Sequence, residues 1–216
     1  MFVAYRYPEV DSTQQRAKQL LDQGEEAGIV VVAEEQQAGR GRLHRQWLSP
    51  RGGLYFSLVV HPENLLSLRA GVAVATALRD LSIPATLKWP NDVLVQEKKI
   101  AGILIELYGA HAIVGIGVNV DQAPLPSATS LRAEGAPPVS RDRLLNAILY
   151  RFQCTDVRRE YARLSATLGH RVRVEQIRGC IEGQAVDVDS QGYLLVDEGR
   201  AIRLSLIHIS EPTRPY

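Results

Sequence analysis

The chain has 216 residues, 45% hydrophobic and 23% charged, enough to bury one sizeable core with room for a small second module. Lysine and arginine total 25 against 24 aspartates and glutamates, so there is no global attraction for nucleic acid, a membrane surface or another polyanion, and any anion must be held by a local cluster. Two cysteines, Cys154 and Cys180, without metal-ligand spacing argue against a disulfide framework or a zinc site, and with no signal-peptide pattern at Met1–Pro8 and no membrane-length apolar run they place the chain in a reducing cytoplasm.

After a short strand-like start, Ser12 or Thr13 is placed to cap a helix in which Ala17, Leu20 and Leu21 recur at helical spacing up to Gly24. Ile29–Ala33 reads as a buried strand. From Glu34 to Gly53 the periodicity stops and Gly39, Gly41, Gly52, Gly53, Arg40, Arg42, Arg45 and Arg51 accumulate; a basic loop of that length inside a compact domain points to function. Leu54–Val60 alternates as a strand, and Ser67–Leu81 is an alanine- and leucine-rich helix. Strands are expected at Thr86–Trp89, Val93–Gln96, Ile100–Leu107 and Ala112–Val120, the last two paired across Gly109. The proline-rich stretch Ala123–Val139 is a loop, and Arg141–Leu164 carries the apolar stripe of one long helix. The pattern predicts an α+β fold, a mixed or antiparallel sheet with helices packed on one side. From Gly169 to about Leu204, short alternating strands (Val172–Val174, Ala185–Val188, Tyr193–Val196) separated by turn signals such as Asp189–Gly192 predict a small β-barrel. The expected division is residues 1–166, 167–205 and a tail, 206–216, that continues neither pattern.

Four constellations carry chemistry. In the loop Gln36–Trp47, glycines let backbone N–H groups approach a phosphate and arginines offer forked donors to anionic oxygens, although a solvated basic loop or an RNA-contacting arm has the same composition. The string Lys88-Trp89-Pro90-Asn91-Asp92, followed by Lys99-Ile100-Ala101-Gly102, sets a carboxylate and an ammonium near each other at strand ends. That pair suits an acyl-activating reaction, and equally describes an Asn-Asp turn beside solvated lysines. Asp11-Ser12-Thr13-Gln14 fits a helix N-cap. In Gly115-Ile116-Gly117-Val118-Asn119, a strand permits close backbone approach and ends in a polar side chain.

Taken together, in this order and spacing, these motifs resemble the biotin protein ligase family over about residues 1 to 205, with the lysine-tryptophan-proline-asparagine-aspartate string and the glycine-arginine-glycine-arginine loop as its most specific parts. The resemblance implies a class II synthetase-like catalytic domain followed by a small SH3-like barrel. It implies ATP-dependent activation of biotin as its adenylate, transfer to a lysine of a biotin carboxyl carrier protein, and magnesium accompanying the ATP. On the matching positions, Ser12, Thr13 and Gln36 would bind the biotin ring. Arg40, Gly41 and Arg42 would form the loop that orders over biotin and its adenylate, with Arg45 helping at the phosphates and Trp47 packing as a lid. Lys99 would stand between the biotin carboxylate and the α-phosphate, and Gly102 would line the pocket. Asn91, Asp92 and Asn119 would surround the nucleotide and metal, with Asp92 orienting or deprotonating the attacking amine. Some members carry an N-terminal winged helix; only ten residues precede Asp11, so DNA binding is not expected, whereas a homodimer through a sheet edge is common in the family. The last residues depart from the family's closing strand, which suggests a foreign tail. Within the superfamily, a lipoate or octanoate ligase is the competing expectation, and a non-catalytic biotin- or nucleotide-binding module is another.

Overall fold

The computed structural model describes residues 2–154, 156–176, 179–197, 201–204 and 209–213. Its larger sheet has seven strands: β1 (Val3–Tyr7), β2 (Ile29–Ala33), β3 (Leu54–Val60), β4 (Thr86–Lys88), β5 (Asp92–Val95), β6 (Lys98–Tyr108) and β7 (His111–Val118). They lie in the order β1-β2-β3-β7-β6-β5-β4, antiparallel throughout except for the parallel β1–β2 pair, so the sheet is mixed as expected.

Side chains alternate across a strand, and this sheet buries both faces. Val30 and Val32 of β2 face the main core with α2 (Leu66–Arg79), α3 (Arg141–Cys154) and α4 (Val157–Leu164). Ile29 and Val31 face the other way, against Val59, Ile113 and the Ala17–Leu20 stripe of α1 (Thr13–Asp22). The expected one-sided packing is therefore corrected for α1, which sits alone on the opposite face. A second correction concerns residues 141–164. The apolar stripe runs on through Phe152, Val157, Tyr161 and Leu164, all buried, but α3 ends at Cys154 and Asp156 is the extended N-cap of α4. The five-residue step from Phe152 to Val157 overshoots helical spacing, and two helices let both segments keep their apolar faces on α2.

The smaller sheet is antiparallel: β8 (Arg171–Gln176), β9 (Gly179–Val188), β10 (Leu194–Asp197), β11 (Ala201–Leu204) and β12 (Ile209–Thr213), in the order β11-β10-β9-β8-β12. Val174, Ala185, Val188, Leu194 and Val196 are buried in continuity with the main core. Within the tail, which by its sequence continues neither pattern, Ile209–Thr213 pairs with β8, where Pro212 is tolerated because the strand lies at a sheet edge. The remainder of the tail lies outside the described residues.

Candidate active site

Register across β7 and β6 explains where the cavity forms. Ile113, Gly115 and Gly117 of β7 share one face with their partners Glu106, Leu104 and Gly102 of β6, and Ile113 shows that this is the α1 face. Two positions without side chains leave room there. A Cβ on Gly115 would meet the Gln14 side chain at 2.9 Å, and one on Gly117 would stand 2.2 Å from Trp47 Nε1. The sheet floor at these glycines is thus approached closely by Gln14 of α1 on one side and by Trp47 of the loop of residues 34–53 on the other. The loop is held as a tight hairpin: Gly41 N–H donates to Arg45 O (2.7 Å), Trp47 N–H to Gly39 O (2.9 Å), and a single 3-10 turn spans Arg42–His44. Gly39 is pressed so closely to Trp47 O that a Cβ would stand at 2.3 Å.

Part of the cavity lining is polar and neutral. Ser12 occupies the N-cap position of α1 but its hydroxyl makes no capping hydrogen bond. The cap comes from across the chain: Gln36 Oε1 accepts from Thr13 N–H (2.8 Å) and from Thr13 Oγ1 (3.1 Å), while Gln36 Nε2 donates to Ser49 Oγ (2.7 Å). Thr13 Oγ1 also bonds Ser57 Oγ at 2.8 Å. Ser12 thus holds the expected N-cap position while Gln36 supplies the capping acceptor, and Ser12 is among the residues lining the cavity.

The lining is also strongly cationic. Arg40, Arg42, Arg45, Lys88 and Lys99 line a cavity of about 230 Å³, with Asp92 as the one acidic residue of the lining among the described residues. Lys99 Nζ lies 2.7 Å from Asp92 Oδ1, an ionic contact not aligned as a hydrogen bond, and 5.2 Å from the centroid of the Trp47 ring. Arg42 Nη1 donates to Asn91 Oδ1 (3.4 Å), and burial pushes its guanidinium below the ordinary arginine range against the opposing pull of Asp92. Arg40 is exposed, donating to Gln15 Oε1 (2.8 Å) with Glu106 Oε1 3.8 Å away. Asn91 is fixed by its own amide, donating to Ile103 O (2.9 Å), and by its carbonyl, which accepts Ile103 N–H (3.0 Å).

The cavity therefore gathers Ser12, Thr13, Gln36, Arg40, Gly41, Arg42, Arg45, Trp47, Asn91, Asp92, Lys99 and Gly102. Asn119 is the exception. It is buried at 2% exposure and outside the lining; its amide donates to Thr129 O (3.0 Å) and its backbone N–H to Ile100 O (2.9 Å). The amide nitrogen at the end of β7 ties down the following loop, while Asn119 Oδ1 is buried with no partner among the described residues. The Trp47 indole packs on the sheet floor at Gly102 and Gly117, with a buried Nε1–H that has no partner among the described residues. Sequence reasoning assigned no role to Gln14, Ser57 or Lys88. Gln14 is buried and donates to Leu104 O at 3.0 Å, and Ser57 is fully buried. A serine in the apolar run Leu54–Val60 was a visible signal, since buried hydroxyls need partners.

Residues 7–121 match the Biotin/lipoate A/B protein ligase family and residues 167–209 the Biotin protein ligase C terminal domain. The chain is 37% identical over 197 residues to the biotin acetyl-CoA-carboxylase ligase of Mycobacterium tuberculosis, covering 80% of this chain and 74% of that protein. It is 31% identical to the bifunctional ligase/repressor BirA of Bacillus subtilis, covering 90% of this chain and 69% of the relative. Among solved structures, the biotin protein ligase from Aquifex aeolicus in complex with biotin and ATP superposes with a TM-score of 0.86 at 35% identity, covering 99% of this chain and 100% of that one. With more than half its length matched by the family and its fold shared end to end with solved members, the chain belongs to the biotin protein ligase family.

Proposed function

We propose that this chain activates biotin with ATP to biotinyl-5′-AMP and transfers the biotinyl group to a lysine of a biotin carboxyl carrier domain. The observation that carries the reading is the mixed lining of one cavity, in which the neutral hydroxyl and amide groups of Ser12, Thr13 and Gln36 meet five cations, with Lys99 and Arg42 set against Asp92. A fused ureido ring is small and neutral and is read by groups such as Ser12, Thr13 and Gln36. The polyphosphate of ATP needs the opposite lining. The names of the relatives and the biotin and ATP held by the Aquifex aeolicus protein support the same assignment.

In the first half-reaction a biotin carboxylate oxygen attacks the α-phosphorus and pyrophosphate leaves. Two anions must meet, so Lys99, together with Arg40 and Arg42, offsets a repulsion that would otherwise dominate the barrier. Lys99 is held over Trp47 and beside Asp92, which aims its ammonium along the floor of the cavity. Asp92, the acid of the lining, would be the carboxylate that holds a magnesium ion entering with ATP, and the ion would supply charge neutralisation for the leaving pyrophosphate. In the second half-reaction the neutral amine of a carrier lysine attacks the acyl carbon, AMP departs, and Asp92 orients or accepts a proton from the amine. The loop of residues 34–53 shields the mixed anhydride from water. On this reading residues 1–166 form the catalytic unit, 167–205 the small barrel, and 206–216 an atypical, non-native tail.

The test is acylation of an isolated biotin carboxyl carrier domain with ATP, magnesium and either biotin or lipoate, read by intact mass. A biotinyl adduct on one lysine, with none from lipoate, is expected. An adduct from lipoate alone would assign the chain to lipoate chemistry instead.

A further inference from the structure

The Trp89 side chain belongs to the string that supplies Asn91 and Asp92, yet its polar bonds lead away from the cavity. The indole is 1% exposed, the largest of the fully buried side chains, and its Nε1–H donates to Gly192 O of the small sheet at 3.1 Å. Its backbone N–H donates to Thr167 Oγ1, a buried hydroxyl, at 2.9 Å. Two residues earlier Leu87 O accepts Ala166 N–H (2.8 Å), so the segment entering the site is bound at alternate residues, 87 and 89, to the start of the small sheet's chain. The acceptor Gly192 is itself fixed. The turn before β10 is closed by Asp189, whose Oδ1 accepts from the N–H groups of Gln191 (2.8 Å) and Tyr193 (3.0 Å). Downstream, Pro90 O accepts the Ser67 hydroxyl of α2 (3.0 Å), and then Asn91 meets Arg42 and Asp92 meets Lys99.

We propose that Trp89 and Thr167 are positioning residues for adenylation: by binding residues 87–89 to the small sheet they set where Asn91 and Asp92 stand relative to Arg42 and Lys99. The inference rests on the ligase reading above. Its physical basis is that a carboxylate and an ammonium in a reacting site tolerate little misplacement, a shift near 1 Å costing on the order of a hundredfold in rate. Two hydrogen bonds from one buried residue, to two different parts of the small sheet's chain, limit that freedom. The ring-binding groups Ser12, Thr13 and Gln36 belong to α1 and the loop after β2 and have no part in this tie. The expected signature is therefore a split, with turnover affected and biotin recognition spared.

The experiment uses the full chain with two variants. Thr167→Val keeps the volume of the side chain and removes the acceptor of Trp89 N–H without touching the cavity lining, and Trp89→Phe removes the indole donor. Biotin-dependent exchange of labelled pyrophosphate into ATP is measured with saturating biotin and ATP, and the KM for biotin and the melting temperature are recorded alongside. A fall in kcat of about tenfold or more in Thr167→Val with the KM for biotin within about twofold of wild type supports the proposal. Trp89→Phe, at a residue that also lines the cavity, should show at least the same fall in kcat, and its larger packing loss appears separately in the melting curve. A lower melting temperature with unchanged kcat in Thr167→Val overturns the proposal, because the bond is then structural only. Loss of exchange in the wild-type chain refutes the ligase reading itself, a result distinguishable from either outcome in the variants.

Discussion

Replacing Gly117 by alanine tests the geometry of the cavity floor. A Cβ at this position would stand 2.2 Å from Trp47 Nε1 and 2.6 Å from Cε2, whereas ordinary contact begins near 3.4 Å. The indole must therefore retreat by about 1.2 Å, since strand β7 is paired on both sides to β3 and β6 and cannot move away. Overpacking of this kind costs about 1–3 kcal/mol, which for a chain of this size lowers the melting temperature by roughly 2–10 °C. Functionally the displaced ring takes with it the surface on which Lys99 Nζ rests and narrows the space beside Gly102. The KM for biotin should rise on the order of tenfold or more, measured by biotin-dependent pyrophosphate exchange beside a thermal melt with and without biotin. An alanine variant with wild-type KM and melting temperature would refute the placement of Trp47 on the floor.

Two further predictions follow from named contacts. Gln36→Leu removes the acceptor of Thr13 N–H and the donor to Ser49, so the start of α1 loses its cap; an increase of roughly tenfold in the KM for biotin is expected, and an unchanged KM would show that Gln36 holds nothing the ligand feels. Burial pushes the Tyr55 hydroxyl up to about 12 from its ordinary 10.0. The folded state then keeps a proton that the unfolded chain gives up, so this contribution to stability is intact below pH 10 and is lost as pH rises towards 12. It is worth roughly 2–3 kcal/mol. Tyr55→Phe should flatten the alkaline fall in denaturation midpoint over that window, and an identical fall in the variant would contradict the assignment.

What the sequence displayed and what it concealed divide along physical lines. Elements with a clean period were legible: Ile29–Ala33 and Leu54–Val60 form as expected, and the apolar alternation of β6 and β7 announced their pairing. The side of the sheet taken by α1 was not legible, because Ile29–Ala33 is apolar at every position and such a strand does not declare that both faces are covered. The break between α3 and α4 was hidden by an apolar stripe that continues across it. For the site, residue chemistry and spacing found the cations, Asp92 and the ring-binding polar groups. The tertiary bonds that decide their use were not visible: Gln36 caps a helix 23 residues away, and Asn119, chemically as suited to a phosphate as Asn91, spends its amide on Thr129 O. Trp89 gave no sign in the sequence that its indole reaches Gly192, because that contact depends on how the two sheets pack.

The most direct test of the account is exchange of labelled pyrophosphate into ATP by the wild-type chain and by Lys99→Ala, with biotin or lipoate as the acid. At about 4 Å and an effective dielectric near 20 one opposite charge is worth about 4 kcal/mol. Lys99 is 34% exposed, so solvent screening reduces this towards about 1.5–3 kcal/mol, or roughly 10- to 150-fold in rate. The account predicts exchange that requires biotin, ignores lipoate and falls by that factor in Lys99→Ala. Exchange driven by lipoate but not biotin, or a Lys99→Ala rate equal to wild type, would contradict it.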